Sequence, residues 1–246
     1  MTALEGKVCL VTGASRGLGR AIALLLAEHG AHVVGTYRSG AEVAGDVVAE
    51  AQASGGDLAM EHCDVTDAQS VTSLVTRVLE GHGRIDGLVN NAGVWRGGRL
   101  VDLPPSDWQQ VLDADLSGVF TVLQAVLPTM LAARSGHIVN VSSVIGIVGF
   151  PGDSAYSAAK GGVNAMTRSL AKEVARSGVT VNAVAPGPVE TEMTEQLSER
   201  SRARLLERIP LGRQGRPDEV ASLVAYLLEA PPYLTGAVIP LDGGMS

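Results

Sequence analysis

The amino-acid sequence predicts an α/β fold: a doubly wound parallel sheet of seven strands in a single domain, with helices on both faces. Seven short apolar runs rich in β-branched residues alternate with longer segments whose apolar residues recur at helical spacing. A glycine-rich turn joins the first strand to the first helix. Strands that alternate with helices in this way form parallel sheets, and ligands bind beyond the carboxyl ends of their strands.

Seven short strands are predicted. They are residues 7–12, 32–37, 57–63, 85–90, 138–143, 179–185 and 237–241. The predicted helices are residues 17–29, 68–79, 106–134 and 155–175, with a last helix beginning at Pro217. Ser106 and Gln109 have the spacing of a capping box, and Pro128 predicts a kink.

Composition limits the classes of function open to the chain. With 246 residues, 46% of them hydrophobic, it suits one domain over residues 1–246. A formal net charge of -7 argues against a nucleic-acid partner. Cys9 and Cys63 lie in strand-like runs, and no Cys/His cluster has metal-binding spacing, so we expect buried thiols and no metal. No signal-peptide pattern or long uninterrupted apolar run occurs, so we expect a soluble cytoplasmic protein with no membrane contact.

The turn after the first strand is a candidate phosphate site. It reads Thr-Gly-Ala-Ser-Arg-Gly-Leu-Gly over residues 12–19. Glycines at 13, 17 and 19 permit a tight turn and close backbone approach, so free N–H groups at the helix start can bind a pyrophosphate. The same residues match the GxSxG nucleophile elbow of hydrolases. A hydrolase needs a histidine late in the chain, yet the last one is His137, so we favour the nucleotide site.

The end of the second strand selects the cofactor. Arg38 and Ser39 stand where a dinucleotide fold places its ribose-reading residue, and Arg16 supplies a second cation from the glycine turn. An acidic residue there favours NAD, whereas a cation accommodates a 2′-phosphate. The sequence therefore predicts NADPH.

Three side chains near the middle of the chain have the arrangement that carbonyl reduction requires. Tyr156 and Lys160 are four residues apart on a predicted helix, so they share one face. Ser143 ends the strand just upstream, where its hydroxyl can share a carbonyl oxygen with the phenol. We expect Lys160 to lower the pKa of Tyr156 from about 10, and Ser142 to be structural.

These motifs together resemble the short-chain dehydrogenase/reductase family. They are TGASRGLG at 12–19, NNAG at 90–93, Ser143, YSAAK at 156–160 and APGPVET at 185–191, in the family's order over the whole chain. Within that family the chain most resembles the 3-oxoacyl-carrier-protein reductases, partly through its ending Leu-Asp-Gly-Gly-Met at 241–245.

The resemblance implies a Rossmann-type fold, catalysis by Ser143, Tyr156 and Lys160, and a homotetramer packed through the last helix and strand. It also implies a substrate lid over residues 188–212, with a small helix at 192–208. The implied cofactor-binding residues are Gly13, Ser15, Arg16, Gly17, Leu18, Gly19, Arg38, Ser39, Asp64, Val65, Asn91, Ala92, Gly93, Tyr156, Lys160, Pro186, Gly187, Val189 and Thr191. Asp64 and Val65 would flank the adenine, while Val189 and Thr191 would meet the nicotinamide carboxamide.

One position departs from the family. Asp115 stands where most members have an Asn that orients a proton path to the catalytic lysine. An ionised Asp cannot donate hydrogen bonds and would raise the pKa of Lys160. We expect activity to be retained.

The predicted reaction is NADPH-dependent reduction of a ketone, first of all a 3-oxoacyl thioester of a carrier protein or CoA, as in fatty acid or polyketide biosynthesis. Trp95, Val144, Phe150 and Met193 indicate a partly apolar pocket. Three cations, Arg134, Lys172 and Arg176, are candidates for docking an acidic acyl carrier protein beside that pocket. Alternatives are another carbonyl such as a polyketide, sugar or steroid, the reverse oxidation, or a catalytically impaired NADPH-binding protein.

Overall fold

A computed structural model describes residues 4–192 and 205–246, and it contains one seven-stranded sheet. All neighbouring strands are parallel, in the order β3-β2-β1-β4-β5-β6-β7. The strands are β1 Val8–Val11, β2 His32–Tyr37, β3 Asp57–His62, β4 Gly87–Asn90, β5 Gly136–Val141, β6 Val179–Pro186 and β7 Val238–Leu241. The predicted doubly wound fold and its seven strands are confirmed, with strand ends that differ by at most two residues and with identical bounds for β2.

The described helices cover both faces of the sheet. They are α1 Gly17–Glu28, α2 Ala41–Ala53, α3 Ala68–His82, α4 Pro105–Leu112, α5 Gly118–Ala133, α6 Ile145–Val148, α7 Ser154–Val174 and α8 Pro217–Glu229. A π-helical turn, Asp113–Ser117, joins α4 to α5, and a 3-10 turn, Ala175–Ser177, follows α7.

The core consists of two layers, one on each face of the sheet. Helices α1, α2 and α8 pack on one face, while α3, α5 and α7 pack on the other. Central strands are buried on both faces, so they read as continuous apolar runs; every residue of β1 and β6 is buried. Cys9 and Cys63 are buried free thiols in these layers, as predicted.

Strand order fixes where ligands can bind. The chain leaves β1 toward β2 on one side and returns to β4 on the other, so a crevice opens beyond the carboxyl ends of β1 and β4. The glycine turn that follows β1 and the NNAG turn that follows β4 both lie at this crevice. The same edge carries the end of β5, where Ser143 follows.

The start of the long central helix differs from the prediction. The helix begins at Pro105 without a side-chain cap, and Gln109 donates its Nε2–H to Asp113 Oδ1 at 2.7 Å. The Ser106 and Gln109 capping box is therefore wrong, because a proline in the first turn already lacks the N–H that a cap would satisfy. Pro128 lies within α5, and the π-helical turn Asp113–Ser117 precedes that helix.

The continuous helical stretch Pro105–Ala133 is long and apolar enough to span a membrane by length and composition. One of its faces packs against α3, β4 and β5, so it is a layer helix of the α/β domain. Only a third of its most apolar window is buried within the chain. Among the described residues, the other face is left exposed and includes the apolar side chain of Phe120.

We predict opposite effects for alanine at two helical glycines. In Gly19→Ala the new Cβ would overlap the Gly13 carbonyl oxygen and the Asn91 side chain, so the free energy of unfolding should fall by about 1–3 kcal/mol. In Gly45→Ala the Cβ meets no atom within 4 Å on an exposed face of α2, so unfolding should cost up to about 1 kcal/mol more. Chemical denaturation of both variants checks this; equal effects would contradict the packing of the turn.

Candidate active site

The glycine turn forms a close-packed cradle at the carboxyl end of β1. Gly13 has φ +66°, and a Cβ there would lie 2.9 Å from Ala92 Cα, so the first glycine is required by both conformation and space. Asn91 donates its Nδ2–H to the carbonyls of Thr12 and Gly13, each at 3.0 Å. The NNAG turn therefore braces the cradle, and the backbone approach that a pyrophosphate needs stays open at the start of α1.

Two arginines meet at the corner between the glycine turn and β2. A Cβ on Gly40 would lie 3.4 Å from an Arg16 guanidinium nitrogen, which places that side chain beside the turn after Arg38 and Ser39. Arg16 and Arg38 are both exposed, and Arg16 contacts Glu192 only loosely, at 3.9 Å. Two exposed cations at this corner fit a phosphate on the ribose.

The turn after β3 carries Asp64 and Val65, the residues predicted to flank the adenine. Burial raises the pKa of the Asp64 carboxyl, but hydrogen bonds from the Thr66 N–H and hydroxyl and the charge of Arg38 outweigh it, so the pKa is lowered overall. Asp64 is thus an ionised turn residue whose oxygens bond within its own loop. Val65 beside it is buried and packs against Gly118 of α5.

A buried hydrogen-bond chain holds the catalytic helix α7 against the sheet. Asn90 donates to Asn140 Oδ1 at 2.9 Å, Asn140 donates to Thr167 Oγ1 at 2.9 Å, and Thr167 donates to the Val163 carbonyl at 2.8 Å. All three side chains are buried. These bonds link β4 and β5 to α7 and so fix the position of the helix on the two strands, while Asn90 Oδ1 has no partner in the described part of the chain.

The predicted catalytic residues come together at the carboxyl end of β5. Lys160 Nζ lies 5.5 Å from the centre of the Tyr156 ring, and Ser143 hydrogen-bonds the Tyr156 phenol. The Ser142 hydroxyl donates to the Lys160 carbonyl at 3.2 Å, which fits the structural role expected of it. The spacing of four on α7 and the hydroxyl at the strand end therefore place the three groups around one small volume.

Asp115 makes a direct ion pair with the catalytic lysine. Its Oδ2 lies 3.3 Å from Lys160 Nζ, and its Oδ1 accepts the Val94 N–H at 2.7 Å. Lys160 also donates to the Val141 carbonyl at 3.1 Å. Asp115 is 1% exposed and Lys160 3%, so the pair is hidden from water.

The π-helical turn explains how the Asp115 carboxylate reaches Lys160. The wider turn at residues 113–117 aims the carboxylate at Gly93, where a Cβ would lie 2.5 Å from Oδ2. Burial alone lowers the pKa of Lys160, but the negative charge of Asp115 reverses this and raises it. Burial also raises the pKa of Asp115, against the opposing effect of Lys160.

The expected direction of the Tyr156 pKa shift is wrong, because the pKa is raised and not lowered. Lys160 and the Ser143 hydrogen bond do lower the pKa, but desolvation of the phenol raises it more strongly, and the charges of Asp115 and Asp153 add to the increase. The sequence analysis considered one cation and no burial, and burial is the larger effect. A phenol held in its protonated form suits the donation of a proton to a forming alkoxide.

Two loops carry residues that the sequence predicts to line the substrate pocket. Trp95, on the loop after the NNAG turn, is 42% exposed and donates its Nε1–H to Asp153 Oδ1 at 2.7 Å. Phe150, on the loop before α7, stacks with the Arg208 guanidinium at 4.8 Å from the ring centre. Val144 is buried in the wall, and Met193 lies outside the described residues. Sequence reasoning found these apolar residues but missed Asp153, three residues before Tyr156.

The segment after β6, residues 186–191, lies beside the glycine turn. A Cβ on Gly17 would lie 3.7 Å from Thr191 Cγ2, and one on Gly187 would overlap Asp242 Cα at 2.8 Å. Val189 is buried and pairs with Gly215 through the backbone. Pro186 through Thr191 thus border the crevice, while most of the predicted helix at 192–208 lies outside the described residues.

The three candidate docking cations lie away from Ser143 and Tyr156. Arg134 and Arg176 lie just before β5 and β6, and Arg134 donates to the Arg176 carbonyl at 2.9 Å. Lys172 is sixteen residues after Tyr156 on α7, or about 24 Å along the helix at 1.5 Å per residue. Because α7 runs antiparallel to the strands, its end lies at the opposite edge of the sheet. Their predicted position beside the pocket is therefore wrong.

The comparisons with known proteins agree with this geometry. A model of the family described as Enoyl-(Acyl carrier protein) reductase matches residues 13–246. The 3-oxoacyl-[acyl-carrier-protein] reductase FabG of Thermotoga maritima is 48% identical over 243 residues, 98% of each chain. The 3-oxoacyl-[acyl-carrier-protein] reductase of Synechocystis sp. is 47% identical over 247 residues, 100% of this chain and 99% of that protein. The crystal structure of gox2181 is similar with a TM-score of 0.95 at 37% identity, covering 98% of this chain and 96% of that one.

The fold and site define an oxidoreductase of the ketoreductase type that uses a nicotinamide cofactor. The chain belongs to the short-chain dehydrogenase/reductase family, and the resemblance seen in its motifs is confirmed.

We predict that Asp115→Asn retains activity but moves its pH dependence. Loss of the carboxylate charge removes one cause of the raised pKa values of Lys160 and Tyr156, so both should fall. The proton donor would then be lost at a lower pH, and the alkaline limb of the kcat profile should shift to lower pH by up to about one unit.

Asp115→Ala is the matched disruptive variant. It leaves Lys160 buried without its partner, so the free energy of unfolding should fall by about 3–5 kcal/mol. An unchanged pH profile in Asp115→Asn, or a large gain in turnover, would contradict the ion pair as a working part of the site.

Proposed function

We propose that the protein reduces a 3-oxoacyl thioester to the 3-hydroxyacyl thioester with NADPH. The observation that carries the proposal is the convergence of Ser143, Tyr156 and Lys160 at the carboxyl end of β5, beside the crevice that the glycine turn opens. Bound NADPH would supply the hydride. The remaining chemistry, proton donation and stabilisation of charge, falls to side chains of this chain.

Each of the three residues has a role that follows from its contacts. Tyr156 donates its phenolic proton to the oxygen that becomes an alkoxide, and its raised pKa keeps that proton available near neutral pH. Ser143 hydrogen-bonds the same oxygen and steadies the developing charge. Lys160, fixed by Asp115 and the Val141 carbonyl, stabilises the phenolate left behind.

The choice of NADPH over NADH is supported by the charge at the β2 corner. The cradle fits a pyrophosphate because side chains at Gly13 and Gly19 would close it, and the braced NNAG turn fixes its wall. Arg16 and Arg38 are both exposed at the ribose end. The remaining cofactor-binding residues predicted from the sequence, Ser15, Gly17, Leu18, Ser39, Asp64, Val65, Asn91, Ala92, Gly93, Pro186, Gly187, Val189 and Thr191, are part of the proposal.

The thioester class is supported by the names of the similar proteins and by the pocket. Relatives that match nearly the whole chain are named 3-oxoacyl-[acyl-carrier-protein] reductases. Trp95, on the loop after β4, and Phe150, on the loop before α7, offer apolar surface that suits an acyl chain. An acyl carrier protein or CoA would deliver the thioester, and a cytoplasmic location fits either carrier.

An impaired nucleotide-binding protein is the second candidate function. The observation that favours it is the direct Asp115 to Lys160 contact, which occupies the lysine that the reaction uses. Such a protein would bind NADPH and turn over no ketone. The intact Tyr156 and its bond to Ser143 favour the reductase.

A homotetramer is part of the proposal, and the uncovered apolar surface supports an assembly. Phe120 on α5 is 52% exposed, and Tyr226 on α8 is also exposed. All four residues of β7, the edge strand, keep some exposure. Burying these surfaces against other copies would remove apolar area from water.

We predict that Tyr156→Phe abolishes reduction while leaving NADPH binding intact. The wild-type protein should oxidise NADPH in the presence of acetoacetyl-CoA, and the variant should lose at least about a hundredfold in kcat, since it lacks the proton donor. Absorbance of NADPH measures turnover, and quenching or calorimetry measures binding. Tyr233→Phe, at a fully exposed tyrosine, is the matched control. Substantial turnover in Tyr156→Phe would contradict the assigned role.

We predict that Arg38→Asp moves the cofactor preference from NADPH toward NADH. The aspartate repels a 2′-phosphate and accepts a hydrogen bond from a 2′-hydroxyl, so the ratio of kcat/KM for the two cofactors should fall by about tenfold or more. Arg176→Asp makes the same charge change at the opposite edge of the sheet and should leave the ratio as it is. An unchanged ratio in Arg38→Asp would rule out this corner as the reader of the phosphate.

A further inference from the structure

Asp153 occupies the N-cap of the catalytic helix without capping it. Aspartate at an N-cap ordinarily accepts a backbone N–H of the first turn, which stabilises the helix by about 1 kcal/mol. Here the side chain makes no such bond, and its Oδ1 instead accepts the Trp95 indole N–H at 2.7 Å. The carboxylate therefore points away from the helix and into the space between the two pocket loops.

The second oxygen of Asp153 has no partner in the described part of the chain. The residue is only 8% exposed, yet the sole side-chain hydrogen bond that it accepts uses Oδ1. Oδ2 is not one of the fully enclosed polar atoms that lack a partner, so it stays accessible from the space between the loops, where a further donor would stabilise its charge. A donor on a bound substrate is such a group.

The position of Asp153 places that oxygen close to the chemistry. It lies three residues before Tyr156, at the same end of α7, and its charge is among those that raise the Tyr156 pKa. The loops on either side are tied together, because Gly98 donates its N–H to the Gly152 carbonyl at 2.8 Å. A side chain at Gly97 would overlap the Trp95 ring, so the indole is held in place.

We propose that Asp153, oriented by Trp95, is a specificity-determining residue that accepts a hydrogen bond from a donor next to the reacting carbonyl. The inference rests on the proposed ketone reduction and deepens it. Substrates with a hydroxyl or N–H near the ketone gain a charge-assisted bond, whereas substrates with an anionic group there are repelled.

Three 3-oxo esters test the proposal because they differ only beside the ketone. Ethyl 4-hydroxy-3-oxobutanoate carries a donor, ethyl 4-methoxy-3-oxobutanoate keeps the oxygen without the donor, and ethyl 3-oxopentanoate carries a methyl group. Wild-type protein should favour the hydroxy ester over the methoxy ester in kcat/KM. Asp153→Leu should reduce that ratio about tenfold or more, the usual effect of losing a hydrogen bond to a charged group.

Two conservative variants keep the test independent of folding. In Asp153→Asn the indole retains Oδ1, so the amide presents its NH₂ to the pocket and the preference should move toward the methoxy ester. Trp95→Phe keeps an aromatic wall but frees the carboxylate, so the preference should weaken. Asp102→Asn, at an exposed aspartate on the Trp95 loop, is the control that should keep the wild-type ratio.

A pH profile separates recognition from a purely structural role. The groups that act on the Tyr156 phenol are Lys160, Asp115, Asp153 and Ser143. Removing the Asp153 charge in Asp153→Asn should lower the pKa of the phenol and move the alkaline limb to lower pH. A uniform loss of turnover on all three esters, with no shift of that limb, would overturn the proposal.

Binding of the three esters to the Tyr156→Phe protein, followed by calorimetry, measures the preference without turnover. Tighter binding of the hydroxy ester by Tyr156→Phe, lost when Asp153→Leu is added, supports the proposal for Asp153. This result would stand even if the wild-type protein reduced none of the esters. In that case the proposed ketone reduction would be wrong, and the recognition by Asp153 would not. Equal affinities for the hydroxy and methoxy esters overturn the proposal while leaving ketone reduction intact.

Discussion

The ion pair between Lys160 and Asp115 is the contact on which the geometry of the site depends. It joins the catalytic helix α7 to the π-helical turn that precedes α5, and its members also bind the backbone at Val94 and Val141. These backbone groups belong to the loop after β4 and to the end of β5. Since both charges are buried, the pair is stable only with these additional hydrogen bonds, so four segments are held in one arrangement.

The same pair sets the charge around the phenol. Desolvation of the phenol raises its pKa most strongly, and the charges of Asp115 and Asp153 add to this increase against the opposing charge of Lys160. The Tyr156 proton is therefore retained, which is the state required for donation to an alkoxide. A substrate that bonds Asp153, or a cofactor that approaches Lys160, would change this balance when it binds, so protonation and binding are coupled through the same few groups.

Function is concentrated at one edge of the sheet because parallel strands all end there. The glycine cradle, the NNAG turn, Ser143 and the wall after β6 follow four neighbouring strands, β1, β4, β5 and β6. Tyr156 joins them from the first turns of α7, whereas Lys172 at the other end of the same helix is carried to the far edge. An acidic carrier protein that used Lys172 would therefore have to approach a different face from the one that opens on the pocket.

By itself, the sequence determined the fold, and it predicted the cofactor cradle and the three candidate catalytic residues, because each depends on local patterns. Alternating periodicity, glycine spacing and the interval from Tyr156 to Lys160 are read along a few turns of chain. Only the tertiary structure decided the sign of the Tyr156 pKa shift, the direct contact of Asp115 with Lys160, the pairing of Asp153 with Trp95 and the remoteness of Lys172. Burial and long-range contacts come from how segments far apart in sequence pack together, so no local pattern encodes them.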